Sequence, residues 1–91
     1  MSSPVVKNVV GPGVRKLRND RGWTQGQLTA KLQLRGWDCT RSWLAKIEAQ
    51  QVYVKDFELL YFCAAFGVDL DDLYSTLSIS KVTRLLGRKS R

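Results

Sequence analysis

The chain has 91 residues, of which 44% are hydrophobic, and its formal net charge is +7 at pH 7. This length allows one modest hydrophobic core, and the composition is too apolar for a disordered chain. No apolar run is long enough to span a membrane, and the first ten residues are not patterned as a signal peptide. We therefore expect a cytoplasmic, single-domain protein with no membrane association.

Residue types that support catalysis or metal binding are scarce. The chain contains no histidine, and its two cysteines, Cys39 and Cys63, stand among apolar neighbours. Two cysteines without histidine cannot complete an ordinary four-ligand zinc site, and histidine is also the commonest general base. We predict that both cysteines are small buried hydrophobic residues, that no metal or other cofactor is bound, and that the protein is not an enzyme.

The first predicted helix follows a Gly-Pro-Gly tripeptide at residues 11–13. This tripeptide predicts a break in structure, and we end an N-terminal arm, residues 1–12, within it. Beyond it, apolar residues recur at helical spacing from Val14 onward, with basic residues between them. The sequence thus predicts a short first helix with a basic surface, which ends at Gly22.

A second helix is predicted from the strong start signal that follows. Thr24 has the side chain of an N-cap, and Gln27, three residues later, can bond back to it as in a capping box. Trp23 and Leu28 have the spacing of a hydrophobic staple across this start. The apolar pattern fades near Leu34, where the helix is expected to end.

The next segment, residues 33–39, is predicted to be a long turn held by two apolar anchors, Leu34 and Trp37. Thr40 is a second good N-cap, and it predicts a third helix over residues 41–49.

The third helix has two unlike faces. Leu44 and Ile47 form a narrow apolar stripe, and we assign Trp43 to the core beside them. The outward positions are too small or too polar for a core: Arg41, Ser42, Ala45 and Lys46.

Two further helices complete the predicted domain. From about Asp56 the chain is apolar almost all round until Gly67, a natural C-cap, and this predicts a central buried fourth helix. Asp69 is a candidate N-cap for a short fifth helix, with Leu70 and Leu73 facing inward.

Charge is unevenly distributed along the chain. Residues 1–46 carry nine lysines and arginines against two aspartates, whereas residues 47–74 carry one lysine against six acidic residues. Residues 75–91 add five basic residues and no acidic one. This segregation favours a protein with one face turned to a polyanion. The basic tail, residues 75–91, is equally compatible with an amphipathic helix and with a partly disordered arm.

Two segments carry a family resemblance: TQGQLTAKL, residues 24–32, and TRSWLAKIE, residues 40–48. With GVDLDDLY, residues 67–74, they resemble the Cro/CI-type, XRE-like phage-repressor family of helix-turn-helix proteins. The resemblance implies an all-α, compact, five-helix, lambda-repressor-like domain over residues 13–74. The turn between the two motif helices is longer here than in that family, and Trp43 replaces a small polar residue. We assign Trp43 to the core, and the alternative is a contact of its ring with a phosphate or with a thymine methyl group.

The resemblance also implies which residues would contact double-stranded DNA. Because one α-helix fits the major groove with its N-terminal side chains at base edges, the outward residues of the third helix become the candidate base readers: Arg41, Ser42 and Lys46. Candidate phosphate contacts are Gln25, Thr24, Thr40, Lys31 and Arg35, of which Gln25 matches the family residue that holds a phosphate. Glu48 is expected to form an ion pair with Arg18 or Arg15.

These expectations describe a sequence-specific transcriptional regulator, a repressor by resemblance, located at the nucleoid. One module reads few base pairs, so a homodimer is expected. Its contacts would come from the fifth helix and the tail: Tyr74, Leu77, Ile79, Val82 and Leu85. Two alternatives remain open. One is an antitoxin-like or mobile-element regulator whose tail binds a protein partner, and the other is a protein-interaction module that kept the fold without DNA binding.

Overall fold

The computed structural model describes residues 6–74, and all regular secondary structure within that range is helical. The five helices are α1 (Gly11–Asp20), α2 (Gln25–Leu34), α3 (Arg41–Glu48), α4 (Asp56–Phe66) and α5 (Leu70–Leu73). The all-α, five-helix prediction is therefore confirmed. The predicted tail contacts lie outside the described residues.

Local hydrogen bonds set the helix boundaries as the sequence predicted. The Thr24 hydroxyl accepts from the backbone N–H of Gln27, whose side chain accepts in return from the Thr24 N–H. Thr40 likewise accepts from the N–H of Trp43 at the start of α3. Gly67 ends α4 in the left-handed conformation, with φ of 68°. These short-range contacts satisfy some of the polar groups that a helix end leaves free.

The start of α1 differs from the prediction. Gly11 and Pro12, which we had placed in an N-terminal arm, form the first turn of the helix, where proline needs no N–H donor. Gly11 and Gly13 are buried, and a Cβ on either would collide with a carbonyl oxygen, that of Ile47 or of Leu73. The glycines therefore allow α1 to approach α3 and α5 closely, and they do not break structure.

Residues before α1 also belong to the packed structure. The side-chain amide of Asn8 donates to the carbonyl oxygens of Ile47 (3.1 Å) and Val52 (2.8 Å) and accepts from the N–H of Gly11 (2.8 Å). Val10 is 2% exposed and lies in the core. Asn8 thus ties the entry to α1 both to the last turn of α3 and to the segment that follows α3.

One hydrophobic core joins all five helices. α1 packs against α3, α4 and α5, and α2 packs against α3 and α4. The buried apolar side chains are Val10, Val14, Leu28, Leu32, Cys39, Leu44, Ile47, Phe62, Phe66 and Leu73.

The fourth and fifth helices bury less than predicted. Only Phe62 and Phe66 of α4 are buried, whereas Phe57 and Leu60 are 53% and 60% exposed. In α5, Leu73 is buried but Leu70 is 43% exposed. α4 is therefore not central: it lies at the edge of the core with one apolar face uncovered among the described residues.

The connection between α2 and α3 has one apolar anchor, not two. The ring of Trp37 packs edge-on against Phe62, with 5.2 Å between ring centroids, and at a tilt against Tyr61. Leu34, predicted as the second anchor, is 85% exposed at the end of α2. Trp37 is therefore the residue of this connection that packs on α4, and Leu34 is exposed to solvent.

Candidate nucleic-acid interface

The outward face of α3 holds the predicted base-reading residues together. Leu44 and Ile47 are fully buried, which fixes the rotation of this short helix about its axis. Arg41, Ser42 and Lys46 are all exposed on the outer surface of the helix. The structure therefore presents a row of one guanidinium, one hydroxyl and one ammonium group, which are donors suited to base edges and phosphates.

Trp43 is not in the core, contrary to our assignment. Its side chain is 40% exposed, and it lies at the margin of the α3 face with the Lys46 Nζ 6.0 Å from its ring centroid. The residue spacing allowed burial, since Trp43 is one turn from Ile47. Successive residues turn by about 100°, however, so Trp43 lies beside the buried stripe of α3 and not within it.

The N-terminus of α2 lies next to that of α3. A methyl group placed on Gly26 would be 3.8 Å from Cδ of Arg41, so the Arg41 side chain runs along the first turn of α2. Thr24 is exposed there and Gln25 is half-buried. Because backbone N–H groups and the helix dipole favour anions at this end of a helix, Thr24, Gln25 and Arg41 form one donor-rich patch.

A buried hydrogen-bond network joins the two motif helices to α1. The Arg18 guanidinium donates to both carboxylate oxygens of Glu48, at 2.8 and 2.9 Å, and to the carbonyl oxygen of Trp23 at 2.8 Å. The Gln25 amide donates to the same carboxylate at 3.1 Å. We call this set the Arg18–Glu48–Gln25 network.

This network sets the position of Gln25 relative to Arg18 and Glu48. The hydrogen bond to Glu48 raises the pKa of Arg18 above its ordinary value, against the opposing effect of burial. Arg18 is thus the partner of Glu48, as one of our two expectations had it, and Arg15 is exposed. The bond from Gln25 to Glu48 was missed by sequence reasoning, because it joins residues 23 positions apart.

Lys31 and Arg35 are not brought to this face. The Lys31 Nζ lies 4.5 Å from the ring centroid of Trp23, which itself stacks on Phe66 of α4 at 5.6 Å. Arg35 borders an open groove lined mainly by α4 residues, among them Phe57. Both basic residues are therefore on the α4 side of α2, away from α3, and their placement does not favour the phosphate contacts we predicted.

Two basic residues make long-range contacts that were not singled out from the sequence. The Lys7 backbone N–H donates to the Gln50 carbonyl just after α3, and its ammonium lies 5.6 Å from the Tyr53 ring centroid. Arg21 donates to the carbonyl oxygen of Phe66 at 2.7 Å and so caps the end of α4. Both contacts join residues more than 40 positions apart, which leaves no local sequence signal.

The cysteines show no reactive character. Burial, with a smaller effect of Glu58, raises the pKa of the Cys39 thiol to about 11, and burial also raises that of Cys63. Thiols with raised pKa values stay protonated and unreactive near neutral pH. Within residues 6–74, no three His, Cys, Asp or Glu side chains come together in a way that could hold a metal ion.

Comparison with known proteins gives one result. The sequence model of a family described as a helix-turn-helix domain matches residues 11–77, which is more than two thirds of the chain and includes α1 to α5. No curated protein and no solved structure matches the chain. None of the helices in the described range is long and apolar enough to cross a membrane.

Proposed function

The chain belongs to the helix-turn-helix domain family, and from that premise we propose that it is a sequence-specific regulator of transcription that binds double-stranded DNA. The observation that carries the proposal is the rotation of α3. Its buried residues point Arg41, Ser42 and Lys46 outward together. A helix of this width fits the major groove, where such side chains reach base edges.

In this proposal the two motif helices have separate tasks. Arg41 and Lys46 donate to guanine or phosphate oxygens, and Ser42 contacts either base type. Thr24, Gln25 and Thr40 hold the backbone phosphates on either side, with the N-terminal dipole of α2 assisting. Glu48 makes no DNA contact in this scheme, but it fixes Gln25 relative to α3.

The test is a selection of duplexes from a random pool, followed by fluorescence anisotropy over a salt series. The variant Arg41→Ala with Lys46→Ala should lose at least about thirtyfold in affinity for the selected duplex, since each base contact contributes ~1 to 3 kcal/mol. It should also lose its preference over random DNA, and the salt dependence of binding should become weaker.

A matched control separates specific contacts from general charge. The variant Lys31→Ala with Arg35→Ala also removes one lysine and one arginine, but from the α4 side of α2. It should keep the sequence preference and lose far less affinity. Equal losses in the two double variants would contradict the assignment of α3 as the reading helix.

Repression and dimerisation belong to the same proposal. The resemblance is to repressors, and occupancy of a promoter alone suffices to block transcription. One domain reads too few base pairs for a unique site, so a homodimer on a two-fold operator is expected. Among the described residues of this predicted contact surface, Leu70 on α5 is 43% exposed and Tyr74 is half-buried, which supports such a contact. Sedimentation with and without the selected duplex tests the stoichiometry, and a promoter–reporter fusion tests the sign of regulation.

A second candidate is a non-enzymatic protein-interaction module on the same fold. The observation that favours it is the exposed apolar face of α4, where Phe57 and Leu60 are more than half exposed. If this is the function, duplex selection will yield no preferred sequence, and substitutions of Arg41 and Lys46 will not change the affinity for DNA. An antitoxin-like regulator would instead bind DNA and also co-purify with a protein partner.

A further inference from the structure

Trp43 differs from the other two tryptophans in its surroundings. Trp23 stacks on Phe66, and Trp37 packs against Phe62, so both rings lie on the core. Trp43 belongs neither to the core cluster nor to the residues packed against it, and 40% of its side chain is exposed. Trp43 therefore presents a partly exposed aromatic ring at the margin of the outward face of α3, and such rings are enriched at interfaces.

Trp43 lies beside the proposed reading residues on α3. It follows Ser42 in the chain, and the Lys46 ammonium lies 6.0 Å from its ring. An indole has two side-chain torsions, so holding it at an interface costs little conformational entropy. It would enter the major groove as an apolar surface at the margin of an otherwise polar face.

The major groove offers one apolar group on the base pairs, the 5-methyl group of thymine. We infer that Trp43 is a specificity-determining residue whose indole contacts a thymine methyl group at the edge of the sequence read by α3. The inference rests on the proposed function. It adds an apolar contact to a set of polar contacts and predicts a preference for thymine over cytosine at one position of each half-site.

Deoxyuridine provides a direct test, because it pairs like thymine but lacks the methyl group. Each thymine of the selected duplex is replaced singly by deoxyuridine, and dissociation constants are measured for the wild type and for Trp43→Ala. At one position the replacement should weaken wild-type binding about fourfold, the effect of one buried methyl group. For Trp43→Ala the same replacement should change affinity by less than about 1.5-fold.

Two further variants serve as controls for this comparison. Trp43→Phe keeps an apolar ring, so it should retain most of the sensitivity to deoxyuridine and a wild-type circular dichroism spectrum. Phe57→Ala removes an exposed aromatic residue from α4, and its sensitivity to deoxyuridine should equal that of the wild type. Together they separate the contact from any general effect of losing an exposed ring.

The outcomes separate a failure of the Trp43 inference from a failure of the proposed DNA-binding function. If a duplex is selected and Arg41→Ala with Lys46→Ala abolishes its preference, but no deoxyuridine position separates the wild type from Trp43→Ala, the Trp43 inference is wrong and the function stands. A uniform loss of affinity in Trp43→Ala on all duplexes would mean a phosphate contact and would also overturn it. Failure to select any duplex would overturn the function and the inference together.

Discussion

Replacing Glu48 with glutamine removes a negative charge from the Arg18–Glu48–Gln25 network and leaves the size of the side chain unchanged. In the wild type the carboxylate accepts two hydrogen bonds from Arg18 and one from Gln25. In the variant, Arg18 remains at the same place with a neutral amide in front of it. One N–H of that amide would face the donors of Arg18 or of Gln25.

The size of the effect follows from how little water reaches this pair. The side chains of Arg18 and Glu48 are 12% and 4% exposed, respectively. Breaking a buried ion pair by removing one partner destabilises a protein by about 3 to 5 kcal/mol, because the remaining charge stays desolvated. A chain of this size is stable by about 5 to 14 kcal/mol. We therefore expect Glu48→Gln to remove a large fraction of the free energy of unfolding.

Urea denaturation at pH 7, followed by far-ultraviolet circular dichroism, measures this loss. The midpoint should fall by at least about 1 M urea with an unchanged slope. The control is Asp20→Asn, which breaks the Lys16–Asp20 pair between side chains that are each 55% exposed. That pair contributes only about 0.3 to 0.5 kcal/mol.

A double variant tests the reason for the loss. Arg18→Met with Glu48→Leu replaces both charges with apolar groups, so no charge remains buried. It should be more stable than Glu48→Gln alone, since replacing both partners of a buried pair is often neutral. If Glu48→Gln shifts the midpoint no more than Asp20→Asn does, the desolvation argument is refuted.

Four other perturbations have expected results. The pKa of Cys39 is raised to about 11 in the folded protein. Above about pH 9 the thiol loses its proton in the unfolded chain but keeps it in the folded one, which favours unfolding. The free energy of unfolding should therefore fall between about pH 9 and 11. Thermal unfolding over that range should show a loss of up to about 2 to 3 kcal/mol. Gly13→Ala should destabilise by about 3 kcal/mol or more in urea, because its Cβ collides with the Leu73 carbonyl. Gly26→Ala adds a Cβ that makes only ordinary contacts at a helical position, so it should stabilise by about 0.4 to 1 kcal/mol. Gln50 has φ of 63°, so Gln50→Gly should be more stable than Gln50→Ala by about 1 kcal/mol in urea denaturation.

Each of these results has a matched comparison. Cys39→Ala should flatten the alkaline loss, although Cys63 and Tyr74, whose pKa values are also raised, leave part of it. An unchanged pH profile in Cys39→Ala would contradict the assignment to this thiol. Equal stability of Gly13→Ala and Gly26→Ala would contradict the close approach of α1 to α5. The two Gln50 variants both lose the side-chain bond to the Asn8 carbonyl, so their difference isolates the backbone strain.

The sequence by itself determined where most helices begin and end. Thr24 and Thr40 cap α2 and α3 through bonds to residues three positions away, and Gly67 ends α4. Such signals are local, so they can be read without a fold. The same is true of the inward stripe of α3, Leu44 and Ile47, from which the outward position of the candidate site followed.

Only the tertiary structure decided which residues are buried among those that lie beside the apolar stripes or at the helix ends. Trp43 and Leu34 were assigned to the interior and are exposed, and Gly11 was assigned to an arm and lies in a buried helix turn. Lys31 and Arg35 are on α2 but on its α4 side. Periodicity gives the direction of a side chain relative to its own helix, whereas burial depends on what another helix brings against it from a distant part of the chain.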